Sequence, residues 1–245
     1  MFEDEVTFLI KTFEREYCLK RLLDSIKKYY PNNRVIILND SFSDYEDNIQ
    51  NDNFKYIRTE YDIGLSEGRN RQVEQCETEY LIIFDDDFLV VENSNLEMLY
   101  NIITENKALD MVGGVKMDEG EAPDPFKGKL EVIDGSVCKH INKTIGSVRE
   151  YKLYDFIPNF FITKTSILKE FKWDSRMKVA PEHLDFFLTH KNKFLITYTE
   201  SVMVYHHKSW ATTDKDYKKL RMRRDYYNVF YEKHNVSRIR ERHEA

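Results

Sequence analysis

The sequence lacks the features of several specialised protein classes. It has no apolar run of membrane-spanning length, and its acidic start, MFEDEVTFLIK, predicts neither a leader peptide nor an anchor. Its three cysteines, Cys18, Cys76 and Cys138, are odd in number and lack metal-ligand spacing, which argues against a disulfide scaffold and a zinc finger. Only 8 glycines and 5 prolines occur in 245 residues, so collagen-like and low-complexity chains are excluded. We therefore expect a folded cytoplasmic protein with reduced thiols.

Positive charge is also scarce, except near the C-terminus. The chain carries 37 Lys and Arg against 43 Asp and Glu, a net charge of −6, which argues against nucleic acid as a partner. Residues 208–245 are the exception, with 11 Lys and Arg against 6 Asp and Glu. The spacing in this segment predicts one amphipathic helix over residues 214–233. Its aromatic and apolar side carries Tyr217, Leu220, Tyr227 and Tyr231.

The predicted C-terminal helix has more than one interpretation. It could pack on the domain and leave a solvated basic face. Its basic residues could instead attract anionic lipid headgroups at the inner face of a membrane, or an acidic glycan acceptor. Trp210 and the aromatic residues nearby could also stack on a sugar. The sequence does not choose between these alternatives.

Short apolar runs alternate with helical patterns in the first half of the chain. Helical spacing covers residues 19–30, 66–76 and 95–105. This alternation predicts right-handed βαβ units in an α/β fold, with a Rossmann-like, mostly parallel central sheet flanked by helices. The runs expected to form strands buried on both faces are VTFLI (6–10), RVIIL (34–38), FKYI (54–57) and YLIIF (80–84).

A glycine-rich window separates the two halves of the chain. Six of the eight glycines lie between residues 113 and 146, which predicts a loop-rich segment. No linker follows, so residues 1–208 are predicted to form one domain with halves 1–115 and 116–208, followed by the basic helix and tail over 209–245. In the second half we expect helices over 166–171 and 182–190 and strands over 194–199 and 201–207.

Three consecutive aspartates, Asp85, Asp86 and Asp87, come directly after the apolar run YLIIF. In open α/β sheets the ligand crevice lies beyond the carboxyl ends of the strands, where these carboxylates would point. Packing three anions together is unfavourable, and a divalent cation such as Mn²⁺ or Mg²⁺, which prefers hard oxygen ligands, would offset the repulsion. The alternative is a solvated acidic turn or a helix cap.

Two further segments could complete a nucleotide site. Asp40 ends the second predicted strand and could reach a ribose or base, or it could form an Asx turn with the following serine. In DIGLSEGRNRQVEQ (62–75), Ser66 could cap a helix whose N-terminus, with Arg69, would bind a diphosphate. The segment matches no phosphate-loop fingerprint, so an ordinary capped helix stays open.

Together these segments resemble the nucleotide-sugar domain of GT-A glycosyltransferases of the family 2 type, and in particular the β-1,4-N-acetylgalactosaminyltransferase group. The resemblance extends motif by motif over most of residues 5–208, whereas residues 116–155 and 209–245 do not align. The segments that carry it are KTFER (11–15), the strand ending in Asp40, GLSEGRNRQV (64–73), FDDDF (84–88), MVGG (111–114), NFF (159–161), PEHLDFFL (181–188) and VYHHK (204–208).

The resemblance implies roles for the aspartates and their neighbours. Asp87 would bind the metal, and Asp85 and Asp86 would contact the nucleotide. The other implied nucleotide contacts are Thr12, Arg15 and Asp40 at the base and ribose, and Arg69 at the diphosphate.

The resemblance also implies a catalytic base and a second metal ligand. EHLDFF resembles the family's base helix, where an acid, usually glutamate, precedes two phenylalanines. That acid is Asp185 here, and Glu182, three residues earlier on the same helix face, is the alternative. Both acids could also simply decorate an exposed helix, on whose surface we expect His183. His206 resembles a histidine that serves as a further metal ligand, and strand alternation sends His207 to the other face.

The function predicted from this resemblance is metal-dependent, inverting transfer of a sugar, best matched by N-acetylgalactosamine, from a UDP-sugar to a hydroxyl of a glycan or glycolipid acceptor, as in polysaccharide biosynthesis. A sugar nucleotidyltransferase of related fold stays an alternative, although such an enzyme would normally show a glycine-rich, basic N-terminal loop, whose glycines KTFERE lacks. A dehalogenase-type phosphatase would need its nucleophile after the first strand, where Lys11 and Thr12 stand. A non-catalytic glycan-binding or nucleotide-binding domain of this fold stays an alternative.

Overall fold

The computed structural model describes residues 1–49, 51–118, 126–206 and 215–243. Their main feature is a mixed sheet of eight strands in the order β3-β2-β1-β4-β11-β6-β12-β5. Its strands are β1 (Val6–Thr12), β2 (Arg34–Asn39), β3 (Phe54–Arg58), β4 (Tyr80–Asp85), β5 (Phe88–Leu89), β6 (Met111–Asp118), β11 (Phe161–Lys164) and β12 (Ile196–His206).

The first four strands are parallel to one another, as predicted, and helices cover both faces of the sheet. Phe8 and Ile10 of β1 pack into one core, while Leu9 between them packs into the other. This two-sided burial explains the unbroken apolar runs. The helices are α1 (Phe2–Glu5), α2 (Glu16–Tyr29), α3 (Leu65–Glu74), α4 (Leu96–Glu105), α5 (Thr165–Glu170), α6 (Glu182–Thr189), α7 (Lys215–Arg221) and α8 (Asp225–His234), and a 3₁₀ turn spans Glu46–Asn48.

The glycine-rich window is more ordered than predicted. It contains β7 (Gly128–Ile133) and β8 (Ser136–Ile141), an antiparallel hairpin, and β9 (Gly146–Val148), which pairs with β10 (Tyr151–Leu153). Gly113 and Gly114 belong to β6, where the chain packs closely: a Cβ on Gly114 would lie 2.5 Å from the Phe160 ring.

Two other predictions differ from the structure. The described residues 194–206 contain one strand, β12, which is irregular between Tyr198 and Met203, rather than two strands. The helix predicted over 214–233 is interrupted between α7 and α8 and is followed by β13 (Arg238–His243). Because β13 pairs in parallel with β8, the C-terminal segment is integrated into the domain.

Candidate active site

A cavity of about 700 Å³ opens at the carboxyl ends of β1 and β4. Its wall carries Lys11 and Arg15 from the β1 side, the three aspartates after β4, and His206 from the end of β12. This is where ligands bind in open α/β sheets. Eight Lys or Arg residues and five Asp or Glu residues line it, so the wall is more basic than the chain as a whole.

Arginine side chains neutralise most of the charge of the aspartate triplet. The guanidinium of Arg15 donates to both Asp86 and Asp87. The Thr12 hydroxyl donates to Asp86 at 2.8 Å, and Arg69 Nη2 donates to Asp85 at 2.9 Å. The sequence indicated a bound metal cation as the partner of these carboxylates, whereas the fold also supplies two cationic side chains, Arg15 and Arg69.

The pKa values of the two buried aspartates move in opposite directions. Burial, together with repulsion from Asp87, raises the pKa of Asp86 to about 6 despite the attraction of Arg15. Burial would also raise the pKa of Asp87, but Arg15 and then His206 outweigh it and hold that pKa well below its usual range. Asp87 is therefore a permanent anion at neutral pH.

His206 lies against Asp87 at the edge of the cavity. Its Nε2 is 3.3 Å from Asp87 Oδ2, and its Nδ1 contacts Asp118, the residue paired with it on β6. Burial would lower the pKa of His206, but the hydrogen bonds to Asp87 and Asp118 raise it. The described residues contain no group of three His, Cys, Asp or Glu side chains placed to hold a metal. The carboxylate of Asp87 and the imidazole of His206 lie side by side, and His207 lies outside the described residues.

Asp40 and Thr12 lie beneath the cavity wall. Both are fully buried, and Asp40 accepts from Lys11 Nζ at 2.5 Å and from the Gly64 N–H at 3.0 Å. Burial lowers the pKa of Lys11 despite this ion pair. Lys11 itself lines the cavity, so Asp40 supports the wall through Lys11.

The N-terminus of α3 is not a free anion site. Its cap is Gly64 rather than Ser66, and the positive φ of Gly64, 92°, favours glycine. The Gly64 N–H is occupied by Asp40, and the Leu65 N–H donates to the Lys178 carbonyl at 2.7 Å. The Ser66 hydroxyl donates to a backbone carbonyl, that of Met177. These two N–H groups are therefore already occupied within the protein, and a diphosphate at this helix end stays a prediction.

Arg69 supports two acids from below. Its side chain is 2% exposed and donates to Asp85, while its Nη1 is buried without a hydrogen-bond partner among the described residues, 3.8 Å from Glu182 Oε1. Trp173 packs against the guanidinium, and the centre of its ring lies 5.5 Å from Arg69 Cζ. Arg69 is thus an internal counter-ion for the acids on the wall.

The two candidate bases on α6 have different surroundings. Glu182 lines the cavity, and its side chain is 6% exposed. Asp185 lies outside the lining and is 1% exposed. Lys233 Nζ donates to it at 2.8 Å and His234 Nε2 at 2.7 Å. The placement favours Glu182, because the Asp185 oxygens are already occupied.

His183 is a site residue that the sequence analysis placed on the helix surface, and that expectation is wrong. It is partly buried and lines the cavity beside the Phe126 ring, 5.7 Å away. Its Nε2 donates to the Ile157 carbonyl at 2.6 Å. Burial, and then the nearby charge of Arg69, lowers its pKa to about 3, so the ring is neutral at physiological pH.

The C-terminal segment forms one wall of the cavity. Tyr217, Leu220, Tyr227 and Tyr231, which the sequence placed on one helix side, all line it, but from two helices. Arg223 of the same wall donates to both oxygens of Asp62, at 2.7 and 2.9 Å. No sequence pattern indicates that Arg223 pairs with Asp62, or that Phe13 and Lys178 line the cavity. Trp210 lies outside the described residues.

The basic character of this segment serves contacts within the protein. Arg223 and Lys233 pair with acids of other elements. Across the described residues, no helix combines the length and the apolar composition needed to cross a bilayer.

Comparisons with known proteins agree with this architecture. Mouse β-1,4 N-acetylgalactosaminyltransferase 2 is 30% identical over 205 residues, covering 82% of this chain and 39% of the relative. Human β-1,4 N-acetylgalactosaminyltransferase 1 is 29% identical over 210 residues, covering 82% and 38%. The chain thus spans about two fifths of the length of these relatives.

Solved structures show the fold. GalNAc-T7 with UDP, GalNAc and Mn²⁺ superposes with a TM-score of 0.65 at 14% identity, covering 82% of this chain and 43% of that one. S. aureus TarS 1-349 in complex with UDP gives 0.59 at 18% identity, covering 83% and 60%. These neighbours identify the fold as GT-A. The sequence profile of glycosyl transferase family 2 matches residues 7–172, more than half of the chain. The chain therefore belongs to glycosyltransferase family 2.

Proposed function

We propose that this chain is a metal-dependent, inverting glycosyltransferase that moves N-acetylgalactosamine from UDP to a hydroxyl of a glycan acceptor. The observation that carries the proposal is one cavity that holds a basic wall, the Asp87 and His206 pair, and the carboxylate of Glu182. Its volume of about 700 Å³ suits a nucleotide-sized ligand. The UDP in the TarS and GalNAc-T7 structures supports a UDP-sugar donor.

Asp87 and His206 would hold the divalent cation. A carboxylate oxygen and an imidazole nitrogen suit Mn²⁺, and Mg²⁺ is the alternative. Two donors from the protein leave other coordination positions for oxygens of the donor diphosphate. When bound, the cation would stabilise negative charge on the departing UDP. The Mn²⁺ in the GalNAc-T7 structure supports this assignment.

Glu182 would be the catalytic base, in preference to Asp185. The acceptor hydroxyl attacks the anomeric carbon, and Glu182 takes its proton. The bond from that carbon to the diphosphate oxygen breaks, and UDP leaves with the electron pair. A single displacement inverts the configuration at the anomeric carbon.

Asn159 would recognise the acetamido group. It lines the cavity, and its Oδ1 is buried with no hydrogen-bond partner among the described residues. An acetamido N–H would satisfy this oxygen, whereas a sugar with a hydroxyl at that carbon would present a different geometry. Sites that hydrogen-bond a polar group discriminate more strongly than apolar pockets do.

The test is a panel of nucleotide sugars with Mn²⁺, read as UDP or GDP release with and without acceptors. We expect UDP-GalNAc to be used best and UDP-GlcNAc second, well ahead of UDP-Gal and UDP-Glc. Glu182→Gln should lower transfer by about 10²- to 10⁴-fold while UDP affinity stays near wild type. Preference for UDP-Gal or a GDP-sugar would overturn the donor assignment, and an active Glu182→Gln would overturn the base.

Calorimetry tests the metal assignment separately. UDP should bind tightly with Mn²⁺ and weakly with EDTA, because diphosphate and aspartates are all anionic. Asp87→Asn should bind UDP weakly even with Mn²⁺. Equal affinity under the three conditions would contradict metal ligation by Asp87.

A further inference from the structure

We infer that Asp185 is a positioning residue that fixes α6 to α8, so that the two helices present their side chains to the cavity in register. The inference rests on the proposed role of Glu182 as the base. It concerns a residue that resembles a catalytic acid in sequence but lies behind the cavity wall in the structure.

A partly buried ionic network centred on the buried Asp185 joins three segments at this point. Lys233 of α8 donates to Asp185 Oδ2 at 2.8 Å and lies 3.1 Å from Asp174 Oδ2, ahead of α6. His234 donates to the other Asp185 oxygen, and Thr189 contacts that oxygen at 3.4 Å. Both oxygens of Asp185 therefore have side-chain partners, which are Thr189 of α6 and Lys233 and His234 of α8.

Both helices joined by the network line the cavity. Glu182 and His183 stand one turn before Asp185 on α6, and Tyr227 and Tyr231 belong to α8. The Asp185 N–H also donates to the Pro181 carbonyl at 2.9 Å, which closes the first turn of α6 behind Glu182. A change in the contact between Asp185 and α8 would thus shift the base and the tyrosine wall relative to each other.

The surroundings of Asp185 fit positioning better than proton transfer. A general base must come within hydrogen-bond reach of the proton that it takes. Asp185 has no place on the cavity wall, and Lys233 and His234 already donate to its two oxygens. Removing one partner would leave a buried charge uncompensated, which strongly perturbs local structure.

The experiment is a double-mutant cycle of Asp185→Asn and Lys233→Met in the full chain. Each variant should lower kcat by about tenfold or more, with UDP affinity within about twofold of wild type. The kcat of the double variant should be no lower than that of the less active single variant. Lys233→Arg, which keeps the charge, should restore most of kcat. Lys172→Met, which breaks the surface pair between Lys172 and Glu74, is the matched control and should leave kcat unchanged.

Two outcomes would overturn the inference. Loss of activity in Asp185→Asn with full activity in Lys233→Met would make Asp185 the base itself. A lower thermal midpoint with unchanged kcat per folded molecule in both variants would make the network purely structural. If Asp185→Asn does not fold, Lys233→Met, which keeps His234 on the carboxylate, decides alone. The activity of Glu182→Gln tests the proposed base independently of this network.

Discussion

At the scale of single residues, Arg15 sets the charge of the proposed donor site. Its guanidinium bridges Asp86 and Asp87, and the Tyr217 ring lies 5.2 Å from it on the C-terminal wall. A metal ion that binds Asp87 must share that carboxylate with Arg15 or displace it. We therefore expect Arg15 to weaken binding of the proposed metal ion when no nucleotide is present.

Arg15→Gln should consequently bind Mn²⁺ more tightly than wild type when no nucleotide is present. The variant should also lose stability, by about 3 to 5 kcal/mol, because it leaves buried carboxylates without their counter-ion. Calorimetric titration with Mn²⁺ and thermal unfolding measure the two effects. Unchanged or weaker Mn²⁺ binding would mean that Arg15 and the metal do not compete.

Asp86 gives stability a dependence on pH. The pKa of Asp86 is raised to about 6 in the folded protein, whereas in the unfolded chain it has its ordinary value of 3.8. Between these two pH values the folded state holds a proton that the unfolded chain has released, and this proton stabilises the fold. The stabilisation is complete below pH 3.8 and is lost as the pH rises through 6. Between pH 7 and pH 5, wild type should therefore gain about 1 kcal/mol relative to Asp86→Asn. Urea unfolding of both proteins at each pH measures this difference, and a constant difference would contradict it.

The sequence reveals residue types more readily than residue positions. The chemistry of the Asp85 to Asp87 triplet is visible because consecutive carboxylates directly after a buried strand fall at the sheet edge where open α/β folds bind ligands. Whether a side chain faces the cavity or lies beneath it depends on its partner across the fold. Asp40 lies below the wall because of Lys11, and Asp185 because of Lys233, and no sequence spacing reveals either pairing.

At the scale of elements, the sequence predicts those whose burial is regular. The strands β1, β2 and β4 and the helices α2 to α4 follow unbroken apolar runs and helical spacing. FKYI forms β3 as predicted, but it is the edge strand and none of its residues is buried, so the expected burial on both faces is wrong for it. The segment RIRERH of β13 carries four charged side chains. It forms a strand because it pairs with β8, which lies over 90 residues earlier in the sequence. Such tertiary pairing has no local pattern.

The packing of β6 against the segment that precedes β11 makes a graded prediction for two neighbouring glycines. An added Cβ on Gly114 would lie 2.5 Å from the Phe160 ring, whereas one on Gly113 would lie 3.1 Å from Ile157. Gly114→Ala should destabilise the protein by about 1 to 3 kcal/mol through overpacking. Gly113→Ala is the matched comparison and should cost less. Chemical denaturation of both variants measures the order, and the reverse order would contradict the packing described.

At the scale of the whole molecule, basic residues near the C-terminus form ion pairs with acidic residues of the rest of the chain. The basic C-terminal segment folds back onto the acidic body, where Arg223 pairs with Asp62 and Lys233 with Asp185 and Asp174. These pairs bring aromatic residues of α7 and α8 to the wall of the cavity. The segment thereby completes the site in which we propose that the donor binds.

The basic cavity wall should also affect how fast the proposed donor is captured. Eight cationic and five acidic side chains line one opening of a chain whose net charge is −6, so we expect an approaching dianion to be repelled by most of the surface and attracted to this opening. Such steering acts on the encounter and is screened within about 8 Å at physiological ionic strength. Stopped-flow measurement of UDP binding should therefore show an association rate that falls steeply with added salt, while the dissociation rate changes little. An enzyme of this kind would collect its donor fastest where ionic strength is low.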